Sequence, residues 1–153
     1  MKLTTRSYYS VKAMVDLSLQ PPGRLASVRA IAQRQNLPAP YLEKLLMALR
    51  QAGLVRSVRG AQGGYALAKA PAQISLGQIL EAVGESAALL KIVYPSQVTH
   101  GETDNAADWV TLVLWQRLHQ MLKVSLNSIS LEELYYDARS WQAAQGEETN
   151  FVV

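Results

Sequence analysis

Basic side chains and glycines between residues 27 and 65 have the types and spacing that could contact a polyanion. Lys44 lies in a helical pattern, and Arg59 lies in a turn-rich loop with Gly60 and two further glycines. Such glycines let a backbone approach phosphates closely, while the arginine reaches along the backbone or into a minor groove. They are also explained by a tight turn that needs positive φ, and both interpretations can hold together. The loop is not a P-loop, because no Gly-Lys-Ser or Gly-Lys-Thr follows at the required spacing.

The residue types give little support for a catalytic function. The chain has no cysteine, its two histidines His100 and His119 are far apart, and its serines lie in no catalytic motif. A nucleophile with a base and an orienting group is therefore missing, and an enzyme is disfavoured. Without cysteine, neither a disulfide nor a thiolate metal site can form. With no signal peptide or apolar run of membrane-spanning length, we expect a cytoplasmic protein with no membrane partner.

The net charge of +3 is unevenly distributed along the chain. Residues 1–70 hold eleven lysines and arginines against two acids, whereas residues 71–153 hold four against ten. The basic half could supply the counterion release that drives binding to nucleic acid. Ordinary solvated charge is the better explanation of the asymmetry taken alone, so the asymmetry carries weight only together with a DNA-binding motif.

The elements that must position these side chains have the pattern of a winged helix-turn-helix. A first helix extends to about residue 20, and Ser27 caps a short second helix that ends before Pro38. A third helix over about 39–52 is predicted to lie in a DNA major groove, and strands over 54–58 and 65–68 form a wing around the glycine-rich loop. Leucines at 42, 45, 46 and 49 form one buried stripe on the third helix. Its outer face carries Pro40, Glu43, Lys44, Met47 and Gln51.

The second half of the chain adds helices, so the predicted fold class is mainly α. Ser75 caps a short helix, and residues 85–106 are predicted to form a loop. The helical pattern from Trp109 to Leu126 has eleven apolar residues in eighteen, so it needs cover on more than one side. Ser130 begins a final packing helix. The predicted units are a DNA-binding domain over 1–84, the loop over 85–106, two helices over 107–144 and a flexible tail over 145–153.

Several segments together resemble one protein family. They are Lys2-Leu3-Thr4-Thr5-Arg6, Tyr41-Leu42-Glu43, Leu49-Arg50-Gln51-Ala52-Gly53-Leu54-Val55, Val58-Arg59-Gly60-Ala61-Gln62-Gly63-Gly64-Tyr65, Ile74-Ser75-Leu76-Gly77-Gln78-Ile79 and Leu131-Glu132-Glu133-Leu134. The combination resembles the Rrf-two family of bacterial winged-helix transcription regulators, which includes iron–sulfur, nitric-oxide and cysteine-metabolism repressors. The resemblance covers most of the chain, roughly residues 1–137. It implies a sequence-specific DNA-binding regulator and favours a repressor.

The resemblance and the outer-face positions together assign candidate contacts to double-stranded DNA. Wing residues would reach the minor groove, and residues near helix N-termini would hold phosphates, since backbone N–H groups there favour anions. Glu43 is unusual, because a carboxylate near phosphates is repelled unless it accepts from a cytosine N4 amine or rejects wrong bases. Its alternative role is a plain surface acid. The candidates are Thr5, Arg6, Ser27, Val28, Arg29, Ala39, Pro40, Tyr41, Glu43, Lys44, Arg59, Gly60 and Gln62.

The same resemblance raises the question of a cofactor. Some members hold an iron–sulfur cluster with three cysteines in a loop that corresponds to about residues 92–108 here. Because this chain has no cysteine, we predict no cluster and no other cofactor. His100, Glu102, Asp104 and Asp108 could suit a hard or borderline metal, but a solvated acidic loop is the favoured interpretation.

The apolar helix over 109–126 predicts a homodimer, as the resemblance also implies. Two recognition helices would then face two half-sites of a pseudo-palindrome, about 34 Å apart. A thicker monomeric core is the weaker alternative. The residues expected to dimerise are Trp109, Leu112, Trp115, Leu118 and Leu122.

A winged helix can also serve as a protein-interaction module, because a fold does not fix a function. In that alternative, the outer face of the third helix docks a partner protein, and duplex DNA binds weakly without sequence preference. A small-molecule or protein effector is a further expected partner of the regulator, with its pocket between the winged domain and the long helix. No residue identifies that effector.

Overall fold

The computed structural model describes residues 4–85 and 105–150 of the chain. Six helices and one two-stranded antiparallel sheet occur in these ranges, which confirms the mainly α fold class. In chain order they are α1 Thr5–Leu19, α2 Val28–Gln35, α3 Ala39–Gln51, β1 Val55–Val58, β2 Gly64–Leu67, a 3₁₀ turn Pro71–Gln73, α4 Leu76–Ala82, α5 Ala106–Ser128 and α6 Leu131–Asn150.

The first three helices begin and end where local chemistry requires. The Thr4 side chain accepts from the Ser7 backbone N–H at 3.2 Å, and that of Ser27 accepts from Ala30 N–H at 3.1 Å, so each satisfies a donor that has no partner within its helix. Asn36 ends α2 in the left-handed conformation, with φ of 52°. The chain then turns sharply into α3.

One hydrophobic core holds these helices together. The leucine stripe predicted for α3 is buried, with Leu42, Leu46 and Leu49 fully inaccessible to solvent. It packs in a cluster that includes Met14 of α1 and Ile31 of α2. Each buried leucine contributes about 1.5–3 kcal/mol by the removal of apolar surface from water. The outer face of α3 is therefore fixed in orientation by its inner face.

The wing is a short hairpin, and an isolated backbone bridge joins it to the segment before α2. Val55 pairs with Leu67 and Val58 pairs with Gly64. Two backbone hydrogen bonds, of 2.9 and 2.8 Å, join Ala26 and Tyr65, so the segment before α2 lies beside β2. A Cβ at Gly64 would lie 2.6 Å from the Ala26 carbonyl, so this approach requires glycine.

The last two helices differ in how far they are buried. Leu131, the first residue of α6, is fully buried in the core, whereas Trp141 is 66% exposed. Within α5, the single buried residue is Leu126. Most of α5 thus has no apolar cover from the described parts of its own chain.

Helix α6 continues to Asn150, so residues 145–150 are helical at the place where the sequence predicted the start of a flexible tail. The tail was predicted from its terminal position, since the last residues of a domain are often poorly ordered. The segment also contains Gly146. A single glycine costs a helix only about 1 kcal/mol relative to alanine, and the flanking alanines, glutamine and glutamates favour the helix. Within the described ranges, no helix combines the length and hydropathy needed to cross a membrane.

Candidate nucleic-acid interface

The outer face of α3 presents the predicted contact residues to solvent. Pro40, Glu43 and Lys44 are exposed, and Met47 continues the same face toward the C-terminus. This arrangement follows from the leucine stripe, because residues that alternate with a buried stripe at helical spacing must face outward. The outer side of α3 is therefore accessible over about two helical turns, from Pro40 to Met47.

Two predicted contact residues of α3 also contribute to packing. Ala39 and Tyr41 are half-buried and lie against the core. The Tyr41 ring meets the Tyr9 ring of α1 edge-on, with centroids 5.8 Å apart. This contact fixes the N-terminal turn of α3 against α1, so Tyr41 positions the outer face whether or not it touches DNA itself.

A cleft of about 410 Å³ separates α3 from the wing and the start of α2. It brings together five of the predicted contact residues from three elements, which lie up to 33 positions apart in sequence. The predicted residues in its lining are Ser27, Val28, Glu43, Arg59 and Gly60. The remaining lining residues are Arg50, Ser57, Val58, Gly63, Gly64 and Tyr65.

Arg50 is a cleft residue that the sequence analysis missed. Its Nη1 donates a hydrogen bond to Ser57 Oγ at 3.0 Å, which joins the C-terminal turn of α3 to strand β1. The serine orients the guanidinium and leaves its other N–H groups available to an acceptor. Arg50 lies seven positions after Glu43, so the helical period that selected Glu43 also selects Arg50.

The wing tip is shaped by its glycines, as one of the two interpretations predicted. Gly60 has φ of 115°, and Gly63 N–H donates to its carbonyl at 3.0 Å. A Cβ on Gly63 would overlap the Val58 carbonyl. Arg59 and Gln62 are exposed beside this turn. The glycines therefore fold the tip so that both polar side chains project from it.

A second cleft, of about 460 Å³, lies on the other side of the wing tip. Gln62 lines it from the wing, and Arg24 lines it from the turn before α2. Arg24 is exposed and was not among the predicted residues. Arg24 lies in a turn, where no helical periodicity shows which side chains face outward, so the sequence offered no reason to select it. Cations thus border the wing on both sides.

The start of α2 supplies backbone donors between the two clefts. Ser27 lines both clefts, Arg29 is exposed, and Val28 is half-buried against the core. The N-terminal N–H groups of a helix and its dipole favour an anion. The predicted role of these residues at phosphates fits this position.

Arg6 has partners within its own chain. Its Nε lies 3.7 Å from a carboxylate oxygen of Glu85, and its Nη1 donates to the Val83 carbonyl at 3.2 Å. Ser7 Oγ donates to the other Glu85 oxygen at 3.3 Å, and Glu85 is buried. A phosphate would have to share Arg6 with these acceptors. Thr5 beside it is exposed.

Helix α5 carries an extended apolar surface. Trp109 is 57% exposed, Trp115 and Leu118 are each 43% exposed, and Met121 is 61% exposed. Of the other residues predicted to dimerise, Leu112 and Leu122 are half-buried. An apolar surface of this extent is typical of a site that contacts another molecule.

The donor set does not fit a cysteine-ligated iron–sulfur cluster, because the 153 residues include no thiol. Across residues 4–85 and 105–150, no group of three or more His, Cys, Asp or Glu side chains could hold a metal ion. The loop candidates His100, Glu102 and Asp104 lie outside the described residues. Asp108 is exposed in the first turn of α5.

Comparison with known proteins places this geometry in a family. The chain matches the model of the Rrf2 (Rrf-two) family, described as an iron-dependent transcriptional regulator, over residues 3–137. The HTH-type transcriptional regulator slr0846 of Synechocystis is 59% identical over 153 residues, which span 100% of each chain. The HTH-type transcriptional regulator IscR of Vibrio atlanticus is 34% identical, and the match covers 100% of this chain and 86% of the relative.

Solved structures are similar over nearly the same span. IscR of T. potens has a TM-score of 0.70 at 36% identity, with 93% of this chain and 91% of that chain covered. CymR, the global cysteine regulator of B. subtilis, has a TM-score of 0.69 at 33% identity, with 89% and 97% covered. These relatives confirm the winged-helix regulator fold, and their names as regulators confirm that the function is not enzymatic. The chain belongs to the Rrf2 family of transcription regulators.

Proposed function

We propose that this protein is a sequence-specific DNA-binding repressor that acts as a homodimer on a pseudo-palindromic operator. The observation that carries the proposal is the cleft between α3 and the wing, where Glu43, Arg50 and Arg59 face one space from two elements. Helix α3 has its inner face fixed by buried leucines, so its outer face can enter a major groove as a rigid body.

The residues of this surface divide into two roles. Lys44, Arg50, Arg59 and the start of α2 contact phosphates or the minor groove, which sets register and supplies affinity. Glu43 contributes specificity, because its carboxylate accepts a hydrogen bond from a cytosine N4 amine and repels acceptor atoms at other bases. Affinity and base preference therefore reside in different side chains.

A second copy of the chain is the proposed partner of α5. Aromatic and branched side chains on more than one side of this helix are exposed, and a two-fold pairing of α5 with its copy covers them. The pairing places two recognition surfaces on one duplex, with half-sites about one helical turn apart. The symmetry of the operator then follows from the symmetry of the dimer.

We further propose that the regulator works without a cysteine-ligated cluster or another resident cofactor. The IscR and CymR relatives are regulators by name, and this chain shares their fold but contributes no thiolate. A small molecule or a protein is then the effector. Its proposed place is between the winged domain and α5.

Selection of bound duplexes from a random-sequence library tests the proposal. The expected result is a motif with two-fold symmetry that binds at least about a thousandfold more tightly than scrambled DNA at physiological salt. A reporter gene placed under this motif should be silenced by the protein. Weak binding with no enriched motif contradicts the proposal and supports the alternative of a module that docks a partner protein on α3.

A further inference from the structure

The long helix α5 is attached to the winged domain at its C-terminal end. Leu126, its one buried residue, lies in the last turn, whereas seven of the ten large apolar residues from Trp109 to Val124 are exposed and the other three are half-buried. A helix of 23 residues is about 35 Å long, so a tilt of about 10° at one end moves the other by about 6 Å. The geometry of this attachment therefore determines where the winged domain lies relative to a partner bound to α5.

Gly77 of α4 and Asn127 of α5 meet at this attachment. A Cβ built on Gly77 would overlap Asn127 Oδ1 and would lie 2.8 Å from its Cγ. Gly77 is buried, and its φ lies outside the left-handed region, so the need for glycine comes from close approach. The absence of a side chain at position 77 permits α4 and α5 to pack at this distance.

Asn127 cannot turn away from Gly77 without losing two hydrogen bonds. Its Oδ1 accepts from Ser75 Oγ at 3.1 Å, and its Nδ2 donates to the Lys123 carbonyl at 3.0 Å. The same Ser75 hydroxyl accepts from Gln78 N–H in the capping box of α4. The start of α4 and the end of α5 are thus joined through one serine.

Backbone hydrogen bonds reinforce the junction. Leu76 N–H donates to the Ile129 carbonyl, and Leu131 N–H donates to the Ile74 carbonyl, each at 2.8 Å. Leu131 and Ile74 are fully buried in the core of the winged domain. The residues between α5 and α6 are therefore fixed to the winged domain. What can vary is the angle between the axis of α5 and that domain.

We propose that Gly77 and Asn127 are positioning residues that set this angle and thereby select the half-site spacing that the dimer accepts. The inference rests on the proposed homodimer and its two-part operator. A change of angle in one protomer is repeated in the other, so both recognition helices move. One inserted base pair displaces a half-site by about 3.4 Å and rotates it by about 35° about the duplex axis, which a rigid dimer does not follow.

Binding to a series of duplexes tests the inference. Each duplex carries the two half-sites selected by the wild-type protein, with the spacer changed in single steps up to about three base pairs in either direction. We expect the wild type to prefer one spacer by about tenfold over its neighbours. Gly77→Ala should shift that optimum or reduce the preference to below about threefold, while its affinity for a single half-site stays within about twofold.

Rescue separates positioning from a general loss of structure. In Gly77→Ala with Asn127→Ala, the three atoms nearest to the new Cβ are gone, so the double variant should regain the wild-type optimum and show the same profile as Asn127→Ala alone. Asn127→Ala alone loses the Ser75 hydrogen bond and should broaden the spacing profile. Gly146→Ala is the matched control, because a Cβ there meets nothing within 4 Å, and its profile should equal that of the wild type.

Two results overturn the inference. One is a folded Gly77→Ala dimer with the wild-type spacing profile, and the other is a double variant whose profile matches that of Gly77→Ala and differs from that of Asn127→Ala. If Gly77→Ala does not fold, an unchanged profile for Asn127→Ala overturns it equally. A wild-type protein that does not dimerise, or that ignores paired half-sites, overturns the proposed function itself before any variant is compared.

Discussion

The carboxylate of Asp16 accepts two hydrogen bonds from the Arg34 guanidinium, at 2.7 and 3.0 Å, and a third from Gln35 Nε2 at 2.8 Å. Asp16 is 2% exposed in α1, and the pair fixes α2 to α1. The hydrogen bond to Asp16 raises the pKa of Arg34, the charge of Asp16 adds to this, and burial opposes it. Arg34 therefore stays charged at physiological pH.

Arg34→Ala should destabilise the protein by about 3 kcal/mol, because it leaves a buried carboxylate with Gln35 as its remaining donor. This value lies at the low end of the range of about 3–5 kcal/mol for removal of one partner from a buried ion pair. The reason is that the Arg34 side chain is 39% exposed. Asp16→Asn should cost about 1 kcal/mol, because it retains an acceptor. Urea denaturation measures both values. A double variant less stable than Arg34→Ala would contradict the account, since Asp16→Asn removes the unpaired charge.

Lys44→Ala and Arg59→Ala should weaken DNA binding and flatten its salt dependence. Each lost phosphate contact should reduce the slope of log affinity against log salt by about 0.9. Titration of a duplex at several ionic strengths measures the slope. Arg139→Ala, an exposed arginine on α6, is the control and should leave it unchanged. An unaltered slope in both interface variants would refute their contact with phosphate.

Glu43→Ala should relax base preference while it leaves non-specific affinity equal or higher, because the carboxylate repels phosphates and selects among bases. The discrimination between the selected duplex and single-base variants should fall by about tenfold at the base that Glu43 reads. Competition binding with matched and scrambled duplexes measures it. Unchanged preference in this variant would show Glu43 to be a plain surface acid.

Arg50→Ala and Ser57→Ala should have different effects on DNA binding. Arg50→Ala removes a cation and should reduce the salt slope by about 0.9. Ser57→Ala keeps the cation but loses the 3.0 Å hydrogen bond that orients it, so affinity should fall about threefold, the cost of a modest hydrogen bond, with the slope retained. Salt titrations of both variants distinguish these outcomes. Wild-type affinity in Arg50→Ala would remove Arg50 from the interface.

Leu118→Asp should separate the dimer into folded monomers, because it buries an unpaired charge in the proposed α5 pairing. Sedimentation velocity should show one species of half the wild-type mass. Affinity for the paired operator should fall by about a hundredfold or more, since the second half-site no longer binds in the same complex. A variant that sediments as a dimer would contradict the assignment of α5.

Local patterns predicted most of the fold. The leucine stripe of α3, the Ser27 cap, the end of α2 before Pro38 and the wing glycines act within a few residues, so the sequence displays them. The Asp16–Arg34 pair was not predictable, because it joins residues 18 positions apart through the packing of two helices.

The interface was predicted unevenly for the same reason. Periodicity found Glu43 and Lys44, and the glycine-rich loop indicated Arg59 and Gly60. The helix N-terminus, together with the resemblance, indicated the residues of α2. Arg24 lies in a turn, where no period points to it, and the contact between Gly77 and Asn127 joins helices that are 50 positions apart in sequence. Such contacts depend on how the helices and turns pack together in the folded protein.

Hydroxyl-radical footprinting of the wild-type protein on its selected duplex tests the central claim most directly. The account predicts two protected regions related by two-fold symmetry, with centres about one helical turn apart. Arg59→Ala should lose the protection at the minor-groove flank of each half-site. A single protected region without symmetry, or a duplex cut uniformly at saturating protein, would contradict a DNA-reading surface formed by α3 and the wing and duplicated by α5.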